Sequence, residues 1–245
     1  MRLSLLLALV PALAVTARPA AARDLPGGLV YLRDIDASIA QDMRYASANN
    51  FTGNRLPGYD APECILRRDL AEALRKAQAT LVTHRLSLKV YDCYRPTRAV
   101  TAMARWAQAP EDNHTKRFYP TLDKRTLFSG YISSRSAHST GTAVDLTVVP
   151  LPEPHVAAYD PRASYGACTA ADRAPDTSID MGTGYDCFDD KSHTANASIA
   201  AQAKRNRTTL GNAMRAQGFT NYFREWWHFS FGRPGPAYDV PIARR

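Results

Sequence analysis

Ser136-Ala137-His138-Ser139-Thr140-Gly141-Thr142-Ala143-Val144-Asp145-Leu146-Thr147 is the stretch on which the fold and the chemistry of this chain turn. Its second half continues into the β-branched run Ala143 to Val149, stopped by Pro150, which reads as a buried strand. The first half is a loop, and Gly141 lets the backbone turn tightly between the two. A His on such a loop and an Asp entering the strand are two ligand types that a divalent ion such as zinc accepts. His138 and Asp145 are therefore candidate ligands of one ion, although a His and an Asp beside a Gly are also common structural residues.

Working outward, Leu66 to Val82 carries Leu66, Leu70, Ala73, Leu74, Ala77 and Leu81 at three-and-four spacing and predicts an amphipathic helix. Leu86 to Tyr91 alternates and predicts a strand. A second helix is expected after Pro96, with Val100, Met103, Ala104 and Ala107 on one side, ending by Pro110. Residues 150–194 are rich in Pro, Gly, Asp and Ser without a sustained period, so a long loop is expected. A third helix is predicted from about Ala197 to Gln217, with Gly218 as its C-terminal stop, and Trp226 to Phe231 is a last strand. Helices and strands are interspersed without a regular βαβ repeat, which predicts a single α+β domain.

The chain has 245 residues, 45% hydrophobic and 22% charged, enough for a sizeable core and unlike a disordered chain. No apolar run reaches the ~18–20 residues that span a bilayer. Met1-Arg2, the apolar Leu3 to Val15 and Ala20-Ala21-Ala22 predict a secretory signal cleaved after Ala22, hence a periplasmic or secreted protein. Its removal takes away Arg2 and Arg18 and lowers the net charge from +8 to +6. There is no basic stripe with interleaved aromatics, so nucleic acid is not an expected partner. Weak attraction to an anionic cell envelope is compatible with the charge, and oligomeric state is not readable. In an oxidising compartment Cys64, Cys93, Cys168 and Cys187 are expected to form disulfides. Of three connectivities the local one, Cys64–Cys93 with Cys168–Cys187, is preferred. No Cys-x-x-Cys spacing supports a Cys-based zinc site.

Glu225-Trp226-Trp227-His228 supplies a third candidate ligand, His228, and a candidate base, Glu225. Residues three apart on a plain strand face opposite ways, so the pair can act together only if the backbone at Glu225–Trp226 turns or bulges. The competing view makes the two Trp core anchors and the flanking groups incidental. Tyr94-Arg95-Pro96 sets Arg95 at a strand-to-helix exit, where a guanidinium can stabilise an oxyanion.

Together these segments resemble the VanX-type zinc D-alanyl-D-alanine dipeptidases, within the group of peptidases that share the hedgehog/DD-peptidase fold. The resemblance also draws on Tyr45, Asn50-Phe-Thr-Gly53, Gly58-Tyr59, Met181-Gly-Thr-Gly-Tyr-Asp186 and Lys191-Ser-His193, and it spans about Asp42 to His228. It implies one domain, 23–245, with a small central, mainly antiparallel sheet flanked by helices. It implies one zinc ion per chain on His138, Asp145 and His228, Glu225 as general base, and Arg95 at the oxyanion. It further implies that Asp186 holds the ammonium of a small D,D-dipeptide, that Ser136 meets its carboxylate, and that Tyr45 and Tyr59 line the pocket.

The export signal and the four Cys depart from many relatives, and Leu151 to Ile179 reads as an insertion able to reshape the entrance. His84, His114 and His155 read as surface residues, whereas His193 lies inside a family motif. Two rivals to the dipeptidase remain: a peptidoglycan D,D- or L,D-carboxypeptidase, and a zinc-containing wall-binding domain without turnover.

Overall fold

The computed structural model describes residues 25–111 and 113–245, so the expected signal segment Met1–Ala22 lies outside the described residues. The sheet that organises the molecule has five strands in the order β2 (Ala40–Gln41), β4 (Leu86–Asp92), β5 (Ala143–Pro150), β7 (His228–Phe231) and β6 (Phe219–Asn221). Only β2 and β4 pair in parallel; the other three contacts are antiparallel, in agreement with the expected mainly antiparallel sheet. A separate ribbon pairs β1 (Leu29–Tyr31) with β3 (Ile65–Arg67). The helices are the short α1 (Leu32–Ile35), then α2 (Arg68–Val82), α3 (Thr97–Gln108) and α4 (Ala201–Arg215).

Alternation decides which face of the sheet is which. Leu88 and Val90 of β4, Val144, Leu146 and Val148 of β5 and Phe229 of β7 join Leu70, Leu74, Ala77 and Leu81 of α2 and Leu210 and Met214 of α4 in one core. Each of these side chains larger than alanine contributes about 1.5–3 kcal/mol on burial. A second apolar cluster holds Ala99 and Met103 of α3 with Tyr45, Phe51, Tyr59, Tyr94, Phe118 and Phe188. The functional face of the sheet belongs with this aromatic layer.

Three expected boundaries move. Leu66 belongs to β3, not to a helix: it pairs opposite Val30 and is buried through that pairing, so its helical spacing to Leu70 is coincidental. The third helix starts at Ala201 rather than Ala197, because the Asn196 carboxamide accepts from the Ser198 amide and hydroxyl and holds a turn there. The last strand starts at His228 rather than Trp226, since the preceding residues form turns. Residues between β5 and α4 contain one short 3-10 turn, Asp190–Ser192, and are otherwise irregular as expected. Both disulfides form in the local pairing, with Cα–Cα separations of 5.3 Å for Cys64–Cys93 and 5.4 Å for Cys168–Cys187. Among the described residues no helix is long and apolar enough to cross a membrane.

Candidate active site

One row across the sheet builds the site. Asp145 of β5 lies opposite Asp92 of β4 on one side and His228 of β7 on the other. Val90 faces Leu146 in the core, and an irregularity between Val90 and Asp92 sets two β4 residues against one of β5. Without it Asp92 would share the core face with Leu88 and Val90; the bulge carries it to the face of Asp145. His138 reaches the same place from the 3-10 turn Ala137–Thr140, which ends at Gly141. Gly141 has φ +70°, and a Cβ there would fall 2.3 Å from Leu29 Cδ2, so only glycine closes this turn.

Nε2 of His138, Nδ1 of His228 and a carboxylate oxygen of Asp145 converge, all lying within 4.8 Å of one another. His138 Nδ1 sits 2.7 Å from the Cys93 carbonyl, so that nitrogen donates and Nε2 keeps its lone pair. Tyr185 Oη donates to Asp145 Oδ2 at 3.0 Å, leaving Oδ1 for the two His, at 2.9 Å from His228 and 3.3 Å from His138. Burial alone would raise Asp145, but His138 and His228 outweigh it and hold the carboxyl well below the usual carboxylate range. Burial lowers His228. Two imidazole lone pairs and a carboxylate, each oriented by a neighbour, form a donor set that fits a divalent ion.

Glu225 stands in the loop joining β6 to β7. Its amide donates to the Tyr222 carbonyl, and the His228 amide donates to the Glu225 carbonyl. These consecutive turns bring Glu225 Oε2 to 3.8 Å from His228 Nδ1, which is the departure from plain strand that a joint role demands. Trp226 and Trp227 are core residues as well, so the anchor view and the site view both hold. Burial, then the charges of Asp145 and Asp186, push the Glu225 carboxyl well up, with Arg95 opposing.

Arg95 is buried, its Nε and Nη2 on Asp92 Oδ2 at 2.9 and 2.8 Å, its guanidinium 4.9 Å over the Tyr45 ring. Burial disfavours the cation, but Asp92 more than compensates and keeps it charged. Asp186, in the left-handed region at φ +53°, accepts from Tyr45 Oη at 2.9 Å. Burial, then Asp145, raise its carboxyl well above the ordinary range. His138, Asp145, His228, Glu225, Arg95, Asp186, Tyr45 and Ser136 all line one cleft of about 660 Å³.

A family model described as D-ala-D-ala dipeptidase matches residues 26–157 and 166–244. The chain belongs to the D-Ala-D-Ala dipeptidase family. It is 33% identical over 220 residues to the D-alanyl-D-alanine dipeptidase of Enterococcus faecium, covering 88% of this chain and 98% of that one. It is 34% identical over 224 residues to the enzyme of that name from Streptomyces coelicolor, covering 89% and 100%. For the Escherichia coli protein of that name the figures are 30% over 201 residues, 82% and 83%. Between its two matched parts the dipeptidase family model leaves 158–165 unmatched, much shorter than the expected insertion 151–179. None of residues 151–179 lines the cleft.

Other expected residues fall elsewhere. Tyr59 does not line the cleft: fully buried behind the wall, it donates to Asp92 Oδ1 at 2.6 Å. From there it supports Arg95 through Asp92. Ser136 lines the cleft, and its hydroxyl caps the His138 turn by accepting from the His138 amide. His84, His114 and His155 are exposed, and His193 lies beside Tyr131 Oη at 3.3 Å, apart from the three converging ligands. Sequence reasoning passed over Asp92 and Tyr185. The signal for Asp92 was a carboxylate at the end of an alternating apolar strand, three residues before Arg95.

Proposed function

We propose that this chain is an exported zinc metallopeptidase that hydrolyses D-alanyl-D-alanine, or related D,D-dipeptides, to free D-amino acids. The observation that carries the reading is the presence, in one cleft, of the three converging ligand groups, Glu225 and the buried carboxylate of Asp186. His138, Asp145 and His228 would hold the ion, and zinc is favoured by the two-imidazole, one-carboxylate set. When bound, such an ion polarises a carbonyl and eases deprotonation of water.

The chain's own groups supply the rest. Glu225 accepts a proton from the attacking water as its oxygen bonds to the scissile carbonyl carbon. It then returns that proton to the leaving nitrogen as the C–N bond breaks. Arg95, held charged by Asp92, meets the negative charge that develops on the former carbonyl oxygen. Asp186, with the Tyr45 hydroxyl on one oxygen, binds the free ammonium, and Ser136 meets the carboxylate end. A long stem peptide has no ammonium near its scissile bond, so Asp186 favours a dipeptidase over a carboxypeptidase.

Export of residues 23–245 as one catalytic domain, after cleavage following Ala22, is supported by the signal-like N-terminus and by two disulfides, which persist in oxidising compartments. The deciding experiment is hydrolysis of D-Ala-D-Ala beside its N-acetylated form, with and without a chelator. Cleavage of the free dipeptide alone, lost on chelation and restored by zinc, is expected. Equal cleavage of the acetylated compound would reassign the chain to the carboxypeptidases. Metal binding without cleavage of either would make it a wall-binding domain.

A further inference from the structure

Helix α4 buries Ala203, Arg207, Leu210 and Met214 along one stripe, at the three-and-four spacing that an apolar set takes. Arg207 breaks the pattern in chemistry but not in position. It is only 4% exposed, and among the described residues no carboxylate pairs with it. Burial pushes its value down to about 10, with the Asp180 charge opposing, so it stays a cation at neutral pH. A buried cation without an anion is costly unless its donors are taken up.

One stretch of backbone takes them up. Nε donates to the Met181 carbonyl at 2.8 Å, Nη1 to the His193 carbonyl at 2.7 Å and Nη2 to the Lys191 carbonyl at 2.8 Å. A single guanidinium therefore holds both ends of the segment Met181–His193. Asn206, the residue before it, adds a bond from its carboxamide to the Asp180 carbonyl at 2.7 Å. The planar fork meets three carbonyls at once because its N–H groups are fixed in direction, which an ammonium on a flexible stem does not match.

The segment so held is irregular apart from the 3-10 turn Asp190–Ser192. It nevertheless carries Tyr185, which donates to Asp145, and Asp186 and Phe188 of the cleft wall. Asp186 is in the left-handed region at φ +53°, a conformation that a residue other than glycine keeps where its surroundings impose it. The path from the clamp to Asp186 is short. Ser192 lies between the two carbonyls that Nη1 and Nη2 bind, and its hydroxyl donates at 2.6 Å to the carbonyl of Cys187, the residue after Asp186.

We propose that Arg207 is a positioning residue for substrate recognition: by clamping both ends of the Met181–His193 segment it sets Asp186 where the ammonium of a dipeptide binds. That the group bound is an ammonium rests on the dipeptidase reading; the clamp itself does not. Arg207 does not line the cleft, so it acts only through the segment.

The test compares Arg207→Lys and Arg207→Ala with the unsubstituted full chain in two measurements. The first requires no turnover: hydrogen exchange of backbone amides, read by mass spectrometry. Exchange across 181–193 is expected to quicken about tenfold or more in both variants, while β4 and β5 keep their original rates. The second is steady-state kinetics on D-Ala-D-Ala. KM is expected to rise about tenfold or more with kcat nearly kept. Dilute guanidinium chloride, filling the space left in Arg207→Ala, should bring KM back down, and it should leave Arg207→Lys unchanged. Arg207→Lys keeps the charge and most of the bulk, so it remains informative if Arg207→Ala does not fold. Exchange across 181–193 at the original rate, or faster exchange throughout the sheet, would overturn the proposal, as would a loss confined to kcat. Failure of the unsubstituted chain to hydrolyse the dipeptide would sink the dipeptidase reading, and the exchange rates would still decide whether Arg207 holds the segment that carries Asp186.

Discussion

Four carboxylates share the cleft and its wall, and their surroundings divide the labour among them. Asp145 is held ionised by two imidazoles, whereas burial raises Glu225, Asp186 and Asp92. A base must be ionised to accept a proton, so with Glu225 in the proposed role activity is lost as pH falls through its raised value. The acid limb of kcat/KM is therefore expected above the ordinary glutamate range. It should move down in Asp186→Asn, where one repelling charge is gone, and a pH–rate profile of both proteins checks this. Glu225→Ala should lower kcat by about 10²-fold or more with metal content unchanged. Asp92 does not line the cleft, yet it holds Arg95 through two bonds and lies 3.4 Å from His138 Nδ1. Asp92→Asn is expected to cost roughly 10–100-fold in activity or metal affinity, the range seen for outer partners of metal ligands. Measuring kcat and metal affinity by chelator competition separates its two effects; a variant with both intact would show that Tyr59 and Arg95 do not need it.

At the level of elements, local pattern made β4, β5, α2 and α3 legible, because each buries one periodic set of side chains. The convergence of His138, Asp145 and His228 was legible too, since each sits in a short motif. Asp92 was not, because its face depends on a bulge that no alternation pattern records. Tyr59 was assigned to the pocket for a related reason: a motif shows proximity to a site, not which side of the wall a ring occupies. Nor did the polar positions of β4 announce their burial. Lys89 looks solvent-facing in sequence, but it is 5% exposed and bonded to Asp176 from the loop after β5. Burial would raise Asp176, but Arg44 and Lys89 outweigh it and hold its carboxyl below the usual value. A depressed folded value means the stabilisation is fully present above the unfolded carboxylate value and is lost as pH falls through the folded one. Asp176→Asn leaves the buried Lys89 without a carboxylate partner and Arg44 with Asp42 alone, and should destabilise the fold by about 3 kcal/mol at neutral pH. Urea titrations of both proteins are expected to converge as the solution is acidified; a constant difference would show that the ion pairs contribute nothing.

For the molecule as a whole, the two disulfides hold the two ends of the cleft separately. Cys93 follows Asp92 and lends its carbonyl to His138, so Cys64–Cys93 anchors the end where the ligands converge. Cys187 follows Asp186, so Cys168–Cys187 anchors the end that would take the ammonium. Closing loops of 29 and 19 residues, each is worth about 3 kcal/mol by restricting the unfolded chain. Their loss should also have different kinetic signatures. The pair Cys64→Ser/Cys93→Ser frees the Cys93 carbonyl and is expected to weaken metal binding and lower kcat. The pair Cys168→Ser/Cys187→Ser leaves the ligands in register across the sheet and is expected to raise KM for the free dipeptide with kcat nearly kept. Steady-state kinetics with metal titration on both double variants, at a temperature where each remains folded, distinguishes them. Identical losses in the two proteins would mean that the bridges act on global stability alone. The split outcome would tie catalysis to an oxidising compartment, because a reducing one would loosen both ends of the cleft.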